Sequence, residues 1–422
     1  MERGVLRESF LITWRSLWRG KTLWMLLVAV AAAHLLLPGL VRSDGTDAGA
    51  FEMSVRVVCG AVFALVCVSS LAIAGGMFAK EREDDILAQS LVRPVSAFSV
   101  AAGRWLAVVL LFACVMLAND VMLGAMQRKD GIVPPDCRVY IAPALPPAEV
   151  SAALAMEAFL KDDGVPEAVR KSSRASILSL LTAKENERYE VVPPGKTAAW
   201  PFPEVAAGPL SVNTRFSTMY GMKTALNGVF RYMDGKGVVS NCTQAVIEVP
   251  LVACAESNTN GNNMLLFTNT GNANVMLRPR RDIELVAPGD SFLANSIRAS
   301  VEMLALSGLL AAFGLFLSAA LSRPVALFVA AVLLAATMMA PDAVSQFPDE
   351  FNATMGEKLG LAISRVVMTF TSAMSEISPV SDLASGRKIS VNALVRAVIY
   401  DLAVFPVLLL SLAAFLLRRK TK

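Results

Sequence analysis

The chain has 422 residues, 55% of them hydrophobic and 18% charged, with a formal net charge of +4. A mean hydropathy of +0.54 is too apolar for an ordinary soluble protein, and so small a net charge gives no basis for nucleic-acid binding. The single histidine, His34, excludes HExxH zinc chemistry and, lying inside an apolar run, leaves no realistic Ser–His or Cys–His pair for nucleophilic catalysis.

Residues 1–21 are basic, and Leu6, Phe10, Trp14 and Leu17 recur at helical spacing with Glu8, Arg15, Ser16 and Arg19 opposite. This predicts an amphipathic helix in the headgroup layer. A signal peptide is the alternative, and the long basic lead favours retention. Apolar runs at Thr22–Leu40, Val55–Phe78 and within Val100–Ala125 are each long enough to cross a bilayer. His34, inside the first run, reads as a satisfied interior residue rather than a ligand.

The stretch Ala79–Trp105 separates the second and third runs. It opens with the consecutive charged residues Lys80, Glu81, Arg82, Glu83, Asp84 and Asp85. A short amphipathic piece with Ile86, Leu87 and Leu91 follows. Arg93-Pro94 ends it, because proline disfavours helix in the residue before it. Charges of this kind give register on a soluble partner, and the apolar side can seat in a groove. By physics alone the run reads equally well as a solvated loop.

From Gln127 to about Asn295 the chain has turn chemistry and no run long enough to span. Helices are predicted over Ala148–Leu160 and from Pro166 to about Arg188. Trp200-Pro201-Phe202-Pro203 reads as a breaker. Strands are predicted at Gln244–Val249, Asn263–Thr268 and Val275–Leu277, punctuated by Asp234-Gly235, Asn260-Gly261 and Gly271-Asn272. The expectation is a small β-sandwich with a helical insert. Cys59, Cys67 and Cys114 fall in spans, and Cys137, Cys242 and Cys254 in this middle region, with no CxxC to suggest a zinc ribbon or a thioredoxin site. If the region lies outside the cytoplasm, Cys242 with Cys254 is a candidate disulfide, and the third cysteine leaves the pairing open.

Val301–Leu321 is the fourth expected span, Ser322-Arg323-Pro324 a basic turn, and Val325–Ala340 a short fifth span stopped by Pro341-Asp342. Leu359–Phe370 is apolar but only about 12 residues long and contains Arg365, which suits a re-entrant helix better than a crossing. Ser378-Pro379-Val380-Ser381-Asp382-Leu383 and Gly386-Arg387-Lys388 follow. The last span is about Ala397–Leu417, with a kink expected at Pro406, before a tail of Arg418, Arg419, Lys420 and Lys422. Glu302 and Asp401 are ionisable groups at membrane depth, hence functional candidates by default; a helix-end pairing of Asp401 with Arg396 at the interface is the plainer reading. With both termini in the cytoplasm and six spans, the basic residues collect on the cytoplasmic side, while the first outer loop carries only Arg42.

Glu81-Arg82-Glu83, Leu87, Leu91, Arg93-Pro94-Val95-Ser96 and Gly103-Arg104, followed by a span, resemble the cytoplasmic coupling segment of type-2 ABC-transporter permeases. The SPVSDL stretch and the ending LAAFLLRRK are similar to that family's C-terminal end, and the Leu-Ser-Arg-Pro-Val-Ala turn between the fourth and fifth runs also matches. The resemblance covers residues 1 to about 126 and about 296 to 422, but not the middle region. It implies a polytopic α-helical membrane protein with six transmembrane helices and an extracytoplasmic α+β, β-sandwich-like domain inserted between helices three and four. The implied divisions are 1–126, with the coupling segment at 79–99; 127–295 outside the cytoplasm; and 296–422, with re-entrant gate helices before the last span.

The same resemblance implies that Glu81, Arg82, Glu83, Asp85, Leu87, Leu91, Arg93 and Pro94 contact a cytoplasmic ABC ATPase. It implies an outer gate involving Leu359, Arg365, Phe370 and Pro379. A second permease protomer, identical or homologous, is an expected partner alongside the lipid bilayer of the plasma (inner) membrane. The chain itself is expected to carry no cofactor and no enzyme activity, with ATP and Mg bound by the ATPase. Gly-Lys-Thr at 20–22 and 195–197 lacks the preceding glycine of a phosphate loop, since Arg15 and Glu190 stand there. The rival reading is a membrane-anchored sensor or assembly scaffold whose extracytoplasmic domain binds a ligand. Lipid, polysaccharide, peptide and drug remain open as substrates, and export follows from the family alone.

Overall fold

A computed structural model of the chain describes residues 2–40, 47–83, 96–130, 137–161, 174–203, 208–214, 217–218, 228–233, 239–245, 251–257, 263–329, 331–332 and 379–420. Helix dominates them. The chain divides into two compact units, with Asp136–Asp290 in one and the flanking helices in the other.

The helical unit begins with α1 (Glu2–Arg19) and α2 (Thr22–Leu36), followed by a 3₁₀ turn at Pro38–Leu40. Helices α3 (Asp47–Glu83) and α4 (Ala97–Asp130) flank the charged stretch. Lys21 takes a left-handed conformation (φ 60°) between α1 and α2, which breaks one continuous apolar and basic pattern into two helices. Among the described residues the middle region holds α5 (Ala148–Lys161), α6 (Arg174–Asn186) and the short strands β1 (Arg138–Ile141), β2 (Glu190–Val192), β3 (Thr197–Phe202), β4 (Gly208–Thr214), β5 (Ser217–Thr218), β6 (Gly228–Met233), β7 (Val239–Ala245), β8 (Leu251–Ser257), β9 (Asn263–Asn269), β10 (Val275–Leu277) and β11 (Ile283–Pro288). The helical unit resumes with α7 (Phe292–Ala320) and α8 (Pro379–Ala384). It ends with α9 (Val391–Ile399), a π turn at Tyr400–Val404 and α10 (Phe405–Lys420).

Among the described residues, five segments are long and apolar enough to cross a membrane: Thr22–Leu40, Gly49–Glu81, Ala97–Met126, Phe292–Ala320 and Val391–Arg419. Most extend past the apolar runs, because helical geometry continues into the flanking polar turns once a span is nucleated. The expected fifth span, 325–340, is helical over 323–329 and 331–332, and its remainder lies outside the described residues, as does the expected re-entrant helix 359–370.

Helix α7 is the most enclosed of the spans and packs against α3, α4 and α10. Small residues allow this. A side chain at Gly314 would place its Cβ 2.9 Å from Ala74 Cβ and 3.1 Å from the Gly75 nitrogen, so α3 and α7 meet backbone to backbone. Ser70 Oγ donates to the Ser307 carbonyl (2.7 Å), and Trp105 Nε1 donates to the Gly308 carbonyl (2.8 Å). Such bonds satisfy polar groups that hydrocarbon cannot. His34 Nδ1 lies 2.9 Å from the Val30 carbonyl of its own helix, while its Nε2 is buried with no hydrogen-bond partner among the described residues, so the expectation of a fully satisfied interior histidine is met at one ring nitrogen only.

The kink expected at Pro406 takes the form of the π turn just before it. Pro406 has no N–H for the Leu402 carbonyl and its ring would collide with that group, so the backbone widens and Phe405 N–H bonds to the Tyr400 carbonyl instead.

In the other unit, four-stranded sheets of order β1-β11-β4-β8 and β3-β9-β6-β7 accompany a three-stranded sheet β2-β10-β5. Every pairing among the described residues is antiparallel. Trp200, Phe230, Tyr232, Leu265, Phe267, Leu277, Ile283 and Leu285 share one buried core drawn from these sheets. The α5 and α6 helices form a smaller core through Ala152, Ile177 and Leu181. The second expected helix is described over Arg174–Asn186, and its expected start at Pro166 lies outside the described residues.

The breaker reading of Trp200-Pro201-Phe202-Pro203 is overturned: β3 runs Thr197–Phe202 and pairs with β9, with Pro201 opposite Met264. Strand β3 is the edge of its sheet, where a missing N–H costs no ladder bond, and Trp200 and Phe202 point into the core while Pro201 is exposed. Of the expected strand 244–249, Gln244 and Ala245 lie on β7, Val239–Ala245, and 246–249 lie outside the described residues. Cys242 lies on β7 and Cys254 on β8 (Leu251–Ser257), strands of different four-stranded sheets.

Candidate functional site

The charged stretch begins while the chain is still helical. Helix α3 carries Glu81, Arg82 and Glu83 in its last turn, and α4 starts at Ala97. Asp85, Leu87, Leu91, Arg93 and Pro94 lie outside the described residues. What the structure brings together is the base of the stretch. Glu81 Oε2 stands 2.6 Å from Arg104 Nη2, and the two side chains are only 30% and 11% exposed. The Arg104 guanidinium also lies over the Phe78 ring, 4.5 Å from its centroid. Arg104 thus holds the end of α3 by an ion pair and a cation–π contact at once, in a setting where solvent screens little.

Helix α1 closes on the same place. A Cβ at Gly103 would lie 2.6 Å from the Leu6 carbonyl, 2.9 Å from Ser9 Cβ and 3.0 Å from the Phe10 nitrogen. Only glycine permits that approach. Ser9 Oγ donates to the Val100 carbonyl at 2.9 Å. The amphipathic pattern therefore serves two faces. Leu17 is buried, while Trp18 and Trp24 stay about half exposed and stack edge to face, 5.6 Å apart. The motif residues Gly103-Arg104 thereby acquire separate physical roles: one admits α1, the other anchors α3.

A second polar group lies further along α4. Asp120 is buried, and its Oδ1 accepts hydrogen bonds from Ser296 Oγ (2.6 Å) and Ser300 Oγ (2.8 Å) of α7. Sequence reasoning passed over Asp120, although a carboxylate inside an apolar run was signal enough. Its partners were not legible, because serines in a span are common and only packing shows which ones face an acid. One residue before Ser296, the Asn295 side chain donates Nδ2–H to the Arg387 carbonyl (2.8 Å) and accepts from the Ile389 N–H (2.8 Å). Asn295 so fastens the link between α8 and α9 to α7.

That link is shaped by Gly386, at φ 71°. Its N–H bonds to the Leu383 carbonyl and the Arg387 N–H to the Asp382 carbonyl, a Schellman motif closing α8. Pro379 begins α8 and is buried, whereas Leu359, Arg365 and Phe370 lie outside the described residues. Asp382 lies within electrostatic reach of Glu302 on α7. Burial pushes the Asp382 carboxyl up, and Arg387 opposes that.

Glu302 and Asp401 are both buried, and Glu302 Oε1 and Asp401 Oδ1 have no hydrogen-bond partner among the described residues. Arg396 is exposed while Asp401 sits inside the π turn, so the interfacial helix-end pairing of these two is not what the structure places there. The Leu402 side chain, from the π turn, reaches to within 2.7 Å of where a Gly308 Cβ would stand.

No curated protein and no solved structure matches the chain. The five apolar helices make it a multi-pass membrane protein. Residues 14–128, which span the last third of α1, all of α2 and α3, the charged stretch and nearly all of α4, match the family model described as ABC-2 family transporter protein, a family of ABC-2 type transporter permeases.

Proposed function

We propose that the chain is the membrane-spanning permease subunit of an ATP-driven ABC exporter, coupled through residues 80–96 to a separate ATPase. Membership of residues 14–128 in a transporter permease family supports a membrane transport subunit. The observation that carries the coupling reading is the anchoring of both ends of the charged stretch by Glu81, Arg104 and Phe78, with α1 seated on Gly103. A segment fixed at its base can transmit a push to α3 and α4 instead of absorbing it in slack chain.

In this reading Glu81, Arg82, Glu83 and Asp85 set ionic register, Leu87 and Leu91 seat in the ATPase, and Arg93-Pro94 holds the angle. The ATPase supplies ATP and Mg. Two permease protomers enclose the path in the plasma membrane, both termini face the cytoplasm, and residues 127–295 lie outside it. Leu359, Arg365, Phe370 and Pro379 belong to the outer gate, which Asn295 would tie to α7.

The test is co-purification from native membranes of the wild type and of a Leu87→Asp, Leu91→Asp double variant. An ATPase recovered with the wild type and lost with the variant supports coupling through this stretch. Recovery of no ATPase with either protein would sink the exporter reading and turn attention to a sensor or scaffold role for residues 127–295.

A further inference from the structure

The open side of α4 and α7 carries a groove of about 730 Å³ lined by Leu117, Asp120, Val121, Gly124, Leu293 and Ile297, among others. Its volume falls in the range of small-molecule sites. Leu117, Val121, Leu293 and Ile297 are all exposed along it, and Asp120 keeps 8% of its surface while forming part of the wall. Among the described residues no lysine or arginine lines the groove.

The carboxylate is held in place. Both serine hydroxyls donate to Oδ1, so neither occupies Oδ2. Two donors from consecutive turns of α7 fix the carboxylate's orientation without neutralising its charge. An oriented carboxylate in an apolar, laterally open wall at membrane depth calls for a partner that brings positive charge and apolar surface together.

We propose that this groove binds a lipophilic cation, an apolar body bearing a protonated amine, with the ammonium on Asp120 and the body along Leu117, Val121, Leu293 and Ile297. Neutral lipid fills such a groove without using the carboxylate. An anionic amphiphile is repelled by it. The site rests on the membrane placement of α4 and α7 and not on ATPase coupling, so failure of the co-purification experiment leaves it standing.

The test uses the full chain in phosphatidylcholine nanodiscs, with radiolabelled dodecylammonium as probe, dodecanol as neutral comparator and empty discs as background. Saturable dodecylammonium binding is expected. Asp120→Asn, which can still accept from both serines, weakens it by about 30-fold or more and leaves dodecanol unchanged. Gly124→Leu fills the groove without touching the charge, because no atom lies within 4 Å of a Cβ built there, and it weakens both ligands. Equal affinity for amine and alcohol, an Asp120→Asn variant that binds as tightly as wild type, or purely non-saturable uptake overturns the proposal. So does a Gly124→Leu variant that changes the oligomeric state while dodecylammonium still binds, since the groove would then belong to a second copy of the chain. Gly124→Leu keeps the test decisive should Asp120→Asn fail to fold.

Discussion

Glu81 Oε2 stands 2.6 Å from Arg104 Nη2, and this ion pair joins the last turn of α3 to the first turns of α4 at the base of the charged stretch. Two residues far apart in charge context thus become one mechanical unit. Glu81→Gln and Arg104→Gln are each expected to lower stability by about 1–3 kcal/mol, because each leaves a largely buried charge without its partner. The double variant is expected to cost less than the sum, read by thermal unfolding of the detergent-solubilised protein in a double-mutant cycle. Strict additivity would show that the pair is not coupled.

Gly103 should tolerate no side chain. Gly103→Val would drive its Cβ into the Leu6 carbonyl and Ser9, where the space is 2.6 Å and 2.9 Å. Overpacking of this kind costs about 1–3 kcal/mol, or α1 detaches to avoid it. A lower unfolding midpoint, or faster proteolysis after Arg7 and Arg15, is the expected readout. A variant with wild-type values on both would contradict the seating of α1 on α4.

Asn295 holds two backbone groups of the α8–α9 link. Asn295→Ala removes one hydrogen bond from the Ile389 N–H and one from the Arg387 carbonyl, at about 1–3 kcal/mol for the buried Ile389 N–H. The local outcome is sharper than the global one. Trypsin should cut after Arg387 and Lys388 faster in the variant, while cleavage within residues 137–290 stays unchanged.

The strand-bearing unit contains a network in which Glu187 accepts from Arg278 Nη1 (2.7 Å) and Arg281 Nη1 (2.8 Å). Arg278 also grips Asp282 through both carboxylate oxygens, at 3.0 Å and 3.1 Å. The hydrogen bond from Arg278 is the main reason that the Glu187 carboxyl sits below its ordinary value of 4.5, with desolvation opposing and Arg281 adding. A depressed folded-state pKa contributes stability above the unfolded value and loses it as pH falls through the folded one. Glu187→Gln should therefore be less stable than wild type at neutral pH, with the gap closing below pH 4.5, as read by unfolding midpoints across a pH series. Because Glu187 is solvent-exposed the effect is small, and a gap that widened toward acid would reverse the sign and refute the account.

Much of the membrane unit could be read from the chain alone, because hydrocarbon imposes length and apolarity directly on residue order. Runs of apolar residues gave four of the five observed spans near their bounds, and the charged Lys80–Asp85 run marked where the second and third spans part. The strands were harder. Pro201 suggested a breaker because proline is judged locally, yet at the edge of a sheet its missing N–H has no partner to lose.

What residue order determined by itself was the alternation of apolar and polar segments, the interfacial pattern of α1 and the family signal carried by residues 14–128. Only tertiary structure decided that Glu81 meets Arg104, that Gly103 admits α1, and that Asp120 faces Ser296 and Ser300 across 176 and 180 residues of chain. The physical reason is the range of the forces. Hydrophobic partition and helix propensity act on neighbours along the chain, whereas a hydrogen bond or an ion pair acts between groups that packing alone brings within 3 Å.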